Sequence, residues 1–303
     1  MQSGISDIIL SYKEASFGAG VSGATQKTFG YTQLFEVNID TNTTQWRSLE
    51  NDSALPAGNV DGVFSVAGRH EWYPTDGREF EAFLGSLTDG GAGSFTLAHT
   101  KTLPSWAHKV FLNASEWGVV DGVKYGNTTI TIARGDTPVL VSSQWFGRHV
   151  TDGSTFTAVP PTRNPFIYLD ASFTKGGSAY ADIENLVFEV QRVLSPRRLI
   201  RSTSAGSKRL ITEIVEGSAN ILVSGTLSAR KDVIDELRGG TSLVDVRTDK
   251  NLVVTLGNST NTLVLTITGG RFTTGKRVLE KTQEIAMMDF AGVGLTIAGS
   301  GTY

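Results

Sequence analysis

The layout of this chain runs twice, and that repetition constrains its fold more than any single motif does. Phe35-Glu36-Val37 opens a strand-like run, followed by a long polar stretch, an alternating run ending near Gly68, and a short amphipathic segment from Asp76 to Leu87. Phe188-Glu189-Val190 opens a second such run. A long polar and basic stretch, an alternating run through Gly225 and a short amphipathic segment from Arg230 to Leu237 follow in the same order. Repetition on the scale of half a chain implies two copies of one domain, and with them a surface suited to symmetric stacking. The length of 303 residues fits two modest domains or one large β domain. The expected division is an arm over 1–30, one domain over 31–160 and a second over 161–303. The stretch from Thr151 to Asn164, with Pro160-Pro161, is the linker.

Local pattern argues for a mainly β chain. Leu34, Glu36, Asn38 and Asp40 alternate with Phe35, Val37 and Ile39, which predicts a half-buried strand over Thr32 to Asp40. Further strands are predicted over Asp7–Tyr12, Val63–Trp72, Ser94–Ala98, Lys109–Val120, Thr128–Ala133 and Val139–Trp145, with Asp121-Gly122 and Gly126-Asn127 as turns. The second half repeats the theme over Phe166–Phe173, Ile183–Leu194, Leu210–Val215, Ala219–Leu227, Leu243–Val246, Asn251–Leu256, Thr262–Thr268 and Glu284–Ala298. Helices are expected only at Asp76–Leu87 and Arg230–Leu237. In the first, Asp76 is a candidate cap, and Phe80, Phe83, Leu84 and Leu87 share a face. Many short strands and few helices predict a sandwich or barrel rather than a parallel α/β sheet, which needs helices between its strands. Ser16–Thr28, Thr41–Asn59 and Ser195–Lys208 read as long connections, the last a basic loop or a protruding hairpin.

Several chemistries find no support. The chain has no cysteine, which excludes disulfides and thiolate metal sites. His70, His99, His108 and His149 form no compact ligand spacing, and surface or strand-edge roles are expected for them. Gly18, Gly20 and Gly23 satisfy G-x-G-x-x-G, but Ala24 to Gly30 carry no apolar helical stripe, so a mobile arm is expected there rather than a dinucleotide site. The carboxylates are scattered. Trp46, Trp72, Trp106, Trp117 and Trp145 would suit a sugar site, though aromatic residues so spread more often serve β cores. No apolar stretch approaches the roughly 20 residues that span a bilayer, and no secretory signal is expected at the start. No catalytic residue, cofactor or metal is expected.

Charge is uneven. Residues 1–160 hold 10 basic against 16 acidic side chains, a net of −6, and residues 161–303 hold 17 against 14, a net of +3. Arg192, Arg197, Arg198, Arg201, Lys208 and Arg209 make the densest basic cluster. With no aromatic platform in the loop, docking onto an acidic patch of a neighbouring subunit is expected in preference to nucleic-acid binding.

Taken together, these features resemble the larger tail tube proteins of tailed phages and related viruses. The resemblance rests on Phe17-Gly18-Ala19-Gly20-Val21 before the strand Leu34-Phe35-Glu36-Val37-Asn38, then the long loop, the strand ending near Gly68 and the helix around Glu79 to Leu87. It rests equally on Asn185-Leu186-Val187-Phe188-Glu189-Val190, its loop, the strand from Ala219 to Leu227 and a second helix. The resemblance implies two tandem β-sandwich or barrel domains, each with a short flanking helix. It further implies rings that stack into a hollow tube through which double-stranded DNA passes, and no enzymatic activity. Trimeric rings are favoured by the duplication, with hexameric rings as the alternative. A tape measure protein and other tail proteins are the implied partners, without membrane insertion. The implied location is the virion tail, assembled in the host cytoplasm. Arg192, Arg197, Arg198, Arg201, Lys208 and Arg209, with Trp46 and Arg47 in the first long loop, become candidate contacts between subunits or rings. The acidic first half could line part of a lumen that does not hold phosphate. The competing readings are another tail structural role (distal tail, terminator or decoration) or a polysaccharide-binding or hydrolysing β protein.

Overall fold

The computed structural model describes residues 9–21, 26–27, 29–46, 58–60, 62–111, 117–135, 137–152, 163–168, 171–179, 183–198, 209–228, 235, 237–238, 248–258, 261–279 and 284–300. The fold is mainly β, 70% strand against 6% helix. In chain order the first strands are β1 (Ile9–Lys13), β2 (Gln26–Lys27), β3 (Tyr31–Phe35), β4 (Asn38–Asp40), β5 (Thr44–Trp46), β6 (Gly58–Val60) and β7 (Ser65–Tyr73). A 3₁₀ turn (Arg78–Phe80) runs into α1 (Glu81–Leu84). There follow β8 (Gly85–Gly91), β9 (Ser94–His99), β10 (Trp106–Phe111), β11 (Trp117–Ala133), β12 (Leu140–Gly147) and β13 (His149–Asp152). The chain then forms β14 (Ala171–Lys175), β15 (Ser178–Ala179), β16 (Ile183–Arg197), β17 (Glu213–Ser228), β18 (Lys250–Gly257), β19 (Thr262–Leu279), β20 (Glu284–Gly292) and β21 (Gly294–Ser300).

One large antiparallel sheet runs in the order β3 with β4, β7, β12, β11, β16, β17, β20, β19. A second runs β8, β9, β21, β19, β18, β14, β15. A third, smaller one runs β2, β1, β10, β11, β13. The long strands β11 and β19 each belong to two sheets. Period-two alternation explains the layering: Leu186, Phe188 and Val190 of β16 are buried, while Gln191 and Val193 are exposed. Leu263, Leu265 and Ile267 of β19 face the same interior. One apolar cluster joins these residues to Val66, Trp72, Phe80, Phe83, Leu97 and Trp145.

The strand pairing repeats. In the first half β1 pairs β2 and β10, β10 pairs β11, β11 pairs β12 and β13, and β7 lies between β12 and β3. In the second half β14 pairs β15 and β18, β18 pairs β19, β19 pairs β20 and β21, and β17 lies between β20 and β16. Two junctions fuse the halves. The β11–β16 pairing spans Thr128↔Val190 to Ala133↔Asn185, and β9 pairs β21. Position 160 therefore does not separate one sheet from another, because strands from both sides of it share both larger sheets.

Several local expectations change. Asp121-Gly122 and Gly126-Asn127 do not turn the chain back. They lie inside β11, where its register shifts against β10 and β12, and Gly122 adopts a φ of 64°. Such bulges bend a strand while keeping its direction. The first helix is shorter than Asp76–Leu87. Left-handed Gly77 (φ 90°) precedes it, and left-handed Gly85 (φ 106°) ends it, so Leu87 falls in β8. Gly77, not Asp76, is the N-cap residue, while the Asp76 carboxylate accepts the Arg78 N–H at 3.3 Å and pairs with the Arg78 and Arg163 guanidinium groups. Of the second expected helix, Asp235, Leu237 and Arg238 are helical and the remainder lies outside the described residues. The two runs at 210–215 and 219–227 merge into β17, with Gly217 and Ser218 bulged opposite Val193. Ile39 is 53% exposed rather than facing the core with Phe35 and Val37. The strand at Leu243–Val246 lies outside the described residues.

Gly68 holds the entry strand close. A Cβ there would lie 1.8 Å from the Glu36 carbonyl oxygen and 2.6 Å from Trp145 Cζ2. Gly68→Ala should therefore push β3 and β4 off β7 and lower stability by about 1–3 kcal/mol, read from the urea midpoint. An unchanged midpoint would show that the two strands have room to move.

Candidate functional site

The two long connections meet at their bases. In the first half, β5 and β6 form a separate two-stranded ribbon in the connection between β4 and β7. In the second, β16 and β17 continue as a paired hairpin to Arg197↔Glu213. Arg198 Nη2 donates to the Phe64 carbonyl at 3.2 Å, and Arg209 Nε donates to the Gly62 carbonyl at 2.9 Å. The Phe64 N–H donates back to the Arg209 carbonyl at 3.1 Å, and Asn42 Nδ2 donates to the Val63 carbonyl at 2.6 Å. Three of these hydrogen bonds tie the base of the ribbon to the base of the hairpin, and the Asn42 bond closes the ribbon's own base. Beneath lies a small apolar cluster of Leu103, Leu194, Ile211 and Ile214, with Phe17 and Phe146 against it. Alongside, Lys124 forms a short ion pair with Glu216, which also accepts the Leu103 N–H at 3.2 Å.

The predicted contact residues divide accordingly. Arg198 and Arg209 converge on Gly62–Phe64. Arg197 is 60% exposed and lies 3.9 Å from Glu213. Arg201, Lys208 and Arg47 lie outside the described residues, and of Trp46 only the backbone, in β5, is described. Arg192 leaves the group: it is 2% exposed and is no surface contact. Its place in the alternation of β16, between inward-facing Val190 and Leu194, turns it inside. There its guanidinium donates to the Thr100 carbonyl at 2.7 Å and the Lys101 carbonyl at 3.4 Å, and contacts His99 Nε2. Burial, and then the Arg192 charge, lower the pKa of His99.

The Gly-rich segment wraps one of the chain's own carboxylates. Glu14 is buried and accepts the N–H of Gly18 (3.0 Å), Gly20 (2.8 Å) and Gly122 (3.2 Å). Gly18 and Gly20 have φ near 70°, the conformation that turns successive N–H groups toward an anion. Residues 14–21 are therefore an ordered turn around Glu14 and not a loose arm, and Gly23 lies outside the described residues.

Two histidines expected near the surface are instead buried in a hydrogen-bonded chain. Ser11 Oγ lies 2.9 Å from His108 Nδ1, His108 Nε2 is 2.9 Å from Tyr125 Oη, Tyr125 Oη is 2.8 Å from His70 Nδ1, and His70 Nε2 is 3.2 Å from Thr32 Oγ1. Phe29, Phe35, Trp72 and Trp106 surround it. With both imidazoles neutral, the chain satisfies every ring nitrogen in either of two directions, because Tyr125 donates to one imidazole and accepts from the other. Burial lowers His108 to about 3 and holds His70 well below the ordinary imidazole range, with the His108 charge adding to the effect. No sequence spacing marks this chain, since its five members come from five strands or their flanks.

The remaining features are modest. A cleft of about 400 Å³ opens where the bulge of β11 meets β16 and β17, lined mostly by polar side chains such as Asn127, Thr129, Glu189, Gln191 and Asn220. Trp72, Trp106 and Trp145 are at most 1% exposed, which removes them from any surface sugar site. Among the described residues no group of three or more His, Asp or Glu could hold a metal ion, and no helix is long and apolar enough to cross a membrane.

No protein-family model matches the chain. A stretch of 85 residues is 34% identical to the lipoarabinomannan carrier protein LprG of Mycobacteroides abscessus, covering 26% of this chain. The chain spans 37% of that protein's length.

Two predictions follow from the buried chain. Tyr125→Phe strands a nitrogen on each imidazole and should cost about 2–6 kcal/mol, at roughly 1–3 kcal/mol per orphaned group, read by urea unfolding. A cost below 0.5 kcal/mol would show that the chain is not closed. Both imidazoles are neutral in the folded state and titrate near 6.5 when unfolded, so the unfolded state binds more protons in acid. Their contribution is full above about pH 6.5 and falls away toward pH 3, on the order of 4 kcal/mol for His108 alone. Glu79 works the other way. Burial first, and then Asp76, raise it to about 7, so its contribution is full below about pH 4.5 and lost as pH rises through 7. Stability measured from pH 8 to pH 3 should show a steep acid loss in the wild type that flattens in His108→Ala. Parallel profiles would contradict the assignment.

Proposed function

We propose that this chain is a structural virion protein that assembles into stacked rings forming the hollow tail tube through which DNA passes. The observation that carries the reading is the repeated strand pairing. Two like units in one chain supply twice the ring circumference of a single unit, which suits three chains to a ring with pseudo-sixfold symmetry. The large antiparallel sheet supports it, because among the described residues β3–β4 at one end and the distal half of β19 at the other lack a second neighbour. Unpaired edges are an aggregation hazard unless another chain completes them. The ribbon β5–β6 and the hairpin β16–β17, tied together at Gly62–Phe64, make one projection that fits a contact between successive rings. Tape measure and other tail proteins are the partners this reading expects, with assembly in the host cytoplasm and no catalysis. The partial likeness to a lipoarabinomannan carrier spans too little of either chain to carry a second reading.

Concentrated purified protein examined by electron microscopy should show stacked hollow rings. Single rings that never stack would favour a terminator. Particles that remain monomers at every concentration would overturn self-assembly. Arg198→Glu with Arg209→Glu should shorten or abolish the stacks while leaving single rings, and stacks of normal length would remove the projection from the contact.

A further inference from the structure

The geometry points to a specific chain-to-chain junction: the open distal half of β19 in one copy pairs antiparallel with the open β3–β4 edge of a second copy, in the register that joins β11 to β16 within each chain. This inference rests on the ring reading above and names the surface that closes the ring.

The argument is that the molecule already contains one such junction. β11 has two sides. β12 and then β13 cover one side, while β10 covers the first part of the other. The rest of that other side, Thr128–Ala133, receives β16. β19 is arranged alike: β20 and β21 cover one side and β18 covers the first part of the other, up to Lys250↔Gly270. Beyond Gly270, the place that β16 takes on β11 holds no strand among the described residues. β16 in turn lies between β11 and β17, and its counterpart β3 has β7 as its one partner strand among the described residues. Among the described residues, each end of the large sheet thus lacks the neighbour that the other end can supply.

The register follows from the repeat. Phe35↔His70↔Ser143↔Thr128 and Phe188↔Val223↔Phe290↔Phe272 are equivalent rows across the two units. Glu189 lies opposite Thr129, and Val187 opposite Thr131. Counting along β19 past its bulge between Phe272 and Thr274, the counterparts place Glu36 opposite Thr274 and Leu34 opposite Lys276 of the next copy. The side chains suit this pairing. Leu34, Glu36 and Asp40 are exposed on one edge, and Thr273, Thr274 and Lys276 are exposed on the other. The first edge is acidic at Glu36 and Asp40 and the second carries Lys276, which sets opposite charges diagonally across the joint. A contact between two different edges is heterologous, so it closes into a ring or extends without limit.

The absence of native cysteine gives a direct test. Glu36→Cys and Thr274→Cys are made in separate chains and mixed under mild oxidation, so that any disulfide joins two molecules. Directly opposed strand residues hold their Cβ atoms about 4.5–5.5 Å apart, within reach of a bond. The expected result is a mixed dimer in at least tenfold excess over either homodimer, with Leu34→Cys and Lys276→Cys behaving alike. A chain carrying both Thr129→Cys and Glu189→Cys serves as the internal control for geometry, and should form an intrachain bond. Rings visible by microscopy without the mixed disulfide would overturn this junction and leave the ring reading standing. The mixed disulfide without stacked rings would support the junction and overturn the tube. Neither rings nor disulfide, with the internal control bonded, would overturn both.

Discussion

The pairing of β11 with β16 is the contact on which the rest of this structure depends. It spans six opposed residue pairs, from Thr128↔Val190 to Ala133↔Asn185, and joins the piece β3 with β4, β7, β12, β11 to the piece β16, β17, β20, β19 in one continuous sheet. Ile130, Ile132, Leu186, Phe188 and Val190 at this joint are all completely buried. Without it each unit would expose an edge strand in the middle of the molecule. With it, the edges that lack a second neighbour among the described residues lie at the two ends of the sheet. The β9–β21 pairing adds a second tie, by lending two first-half strands to the second-half sheet.

The first unit carries a polar device at its centre. The chain Ser11–His108–Tyr125–His70–Thr32 links strands of the small sheet to strands of the large one through side chains alone. Its imidazole rings are 6.0 Å apart by centroid, inside aromatic walls. One added proton can still be hydrogen-bonded, since an imidazolium donates from both nitrogens. Two added protons leave the Tyr125 hydroxyl hydrogen without an acceptor and place like charges together in a dry interior. The network therefore specifies how the sheets meet near neutral pH and weakens that meeting in acid. The inward face of β17 offers Val223 and Ile221 in the second unit, so the two halves share topology but not core chemistry.

The β class of the fold and most of the strands were legible from residue alternation, because a half-buried strand must alternate. The short helix was legible from Phe80, Phe83 and Leu84, though its length was not, since Gly77 and Gly85 bracket it with left-handed backbone. Asp-Gly and Gly-Asn predict turns but form bulges in β11, because both pairs suit left-handed backbone in either setting and only the partner strand decides. The joining of the halves was not legible, because strand pairing across 50 or more residues leaves no local mark. Arg192 shows the same limit. Its charge placed it with its neighbours Arg197 and Arg198, while strand parity placed it inside. The histidines were missed because their partners are distant in sequence, and an isolated His in a strand carries no sign of its hydrogen bonds.

The central claim is that one chain supplies two like units of a closed ring. Native mass spectrometry of the assembled protein tests it most directly, because it counts chains without assuming a symmetry. The account predicts rings of three copies of the 32.5 kDa chain, and stacks in multiples of three. Rings of six chains, or a chain that remains monomeric at every concentration, would contradict it.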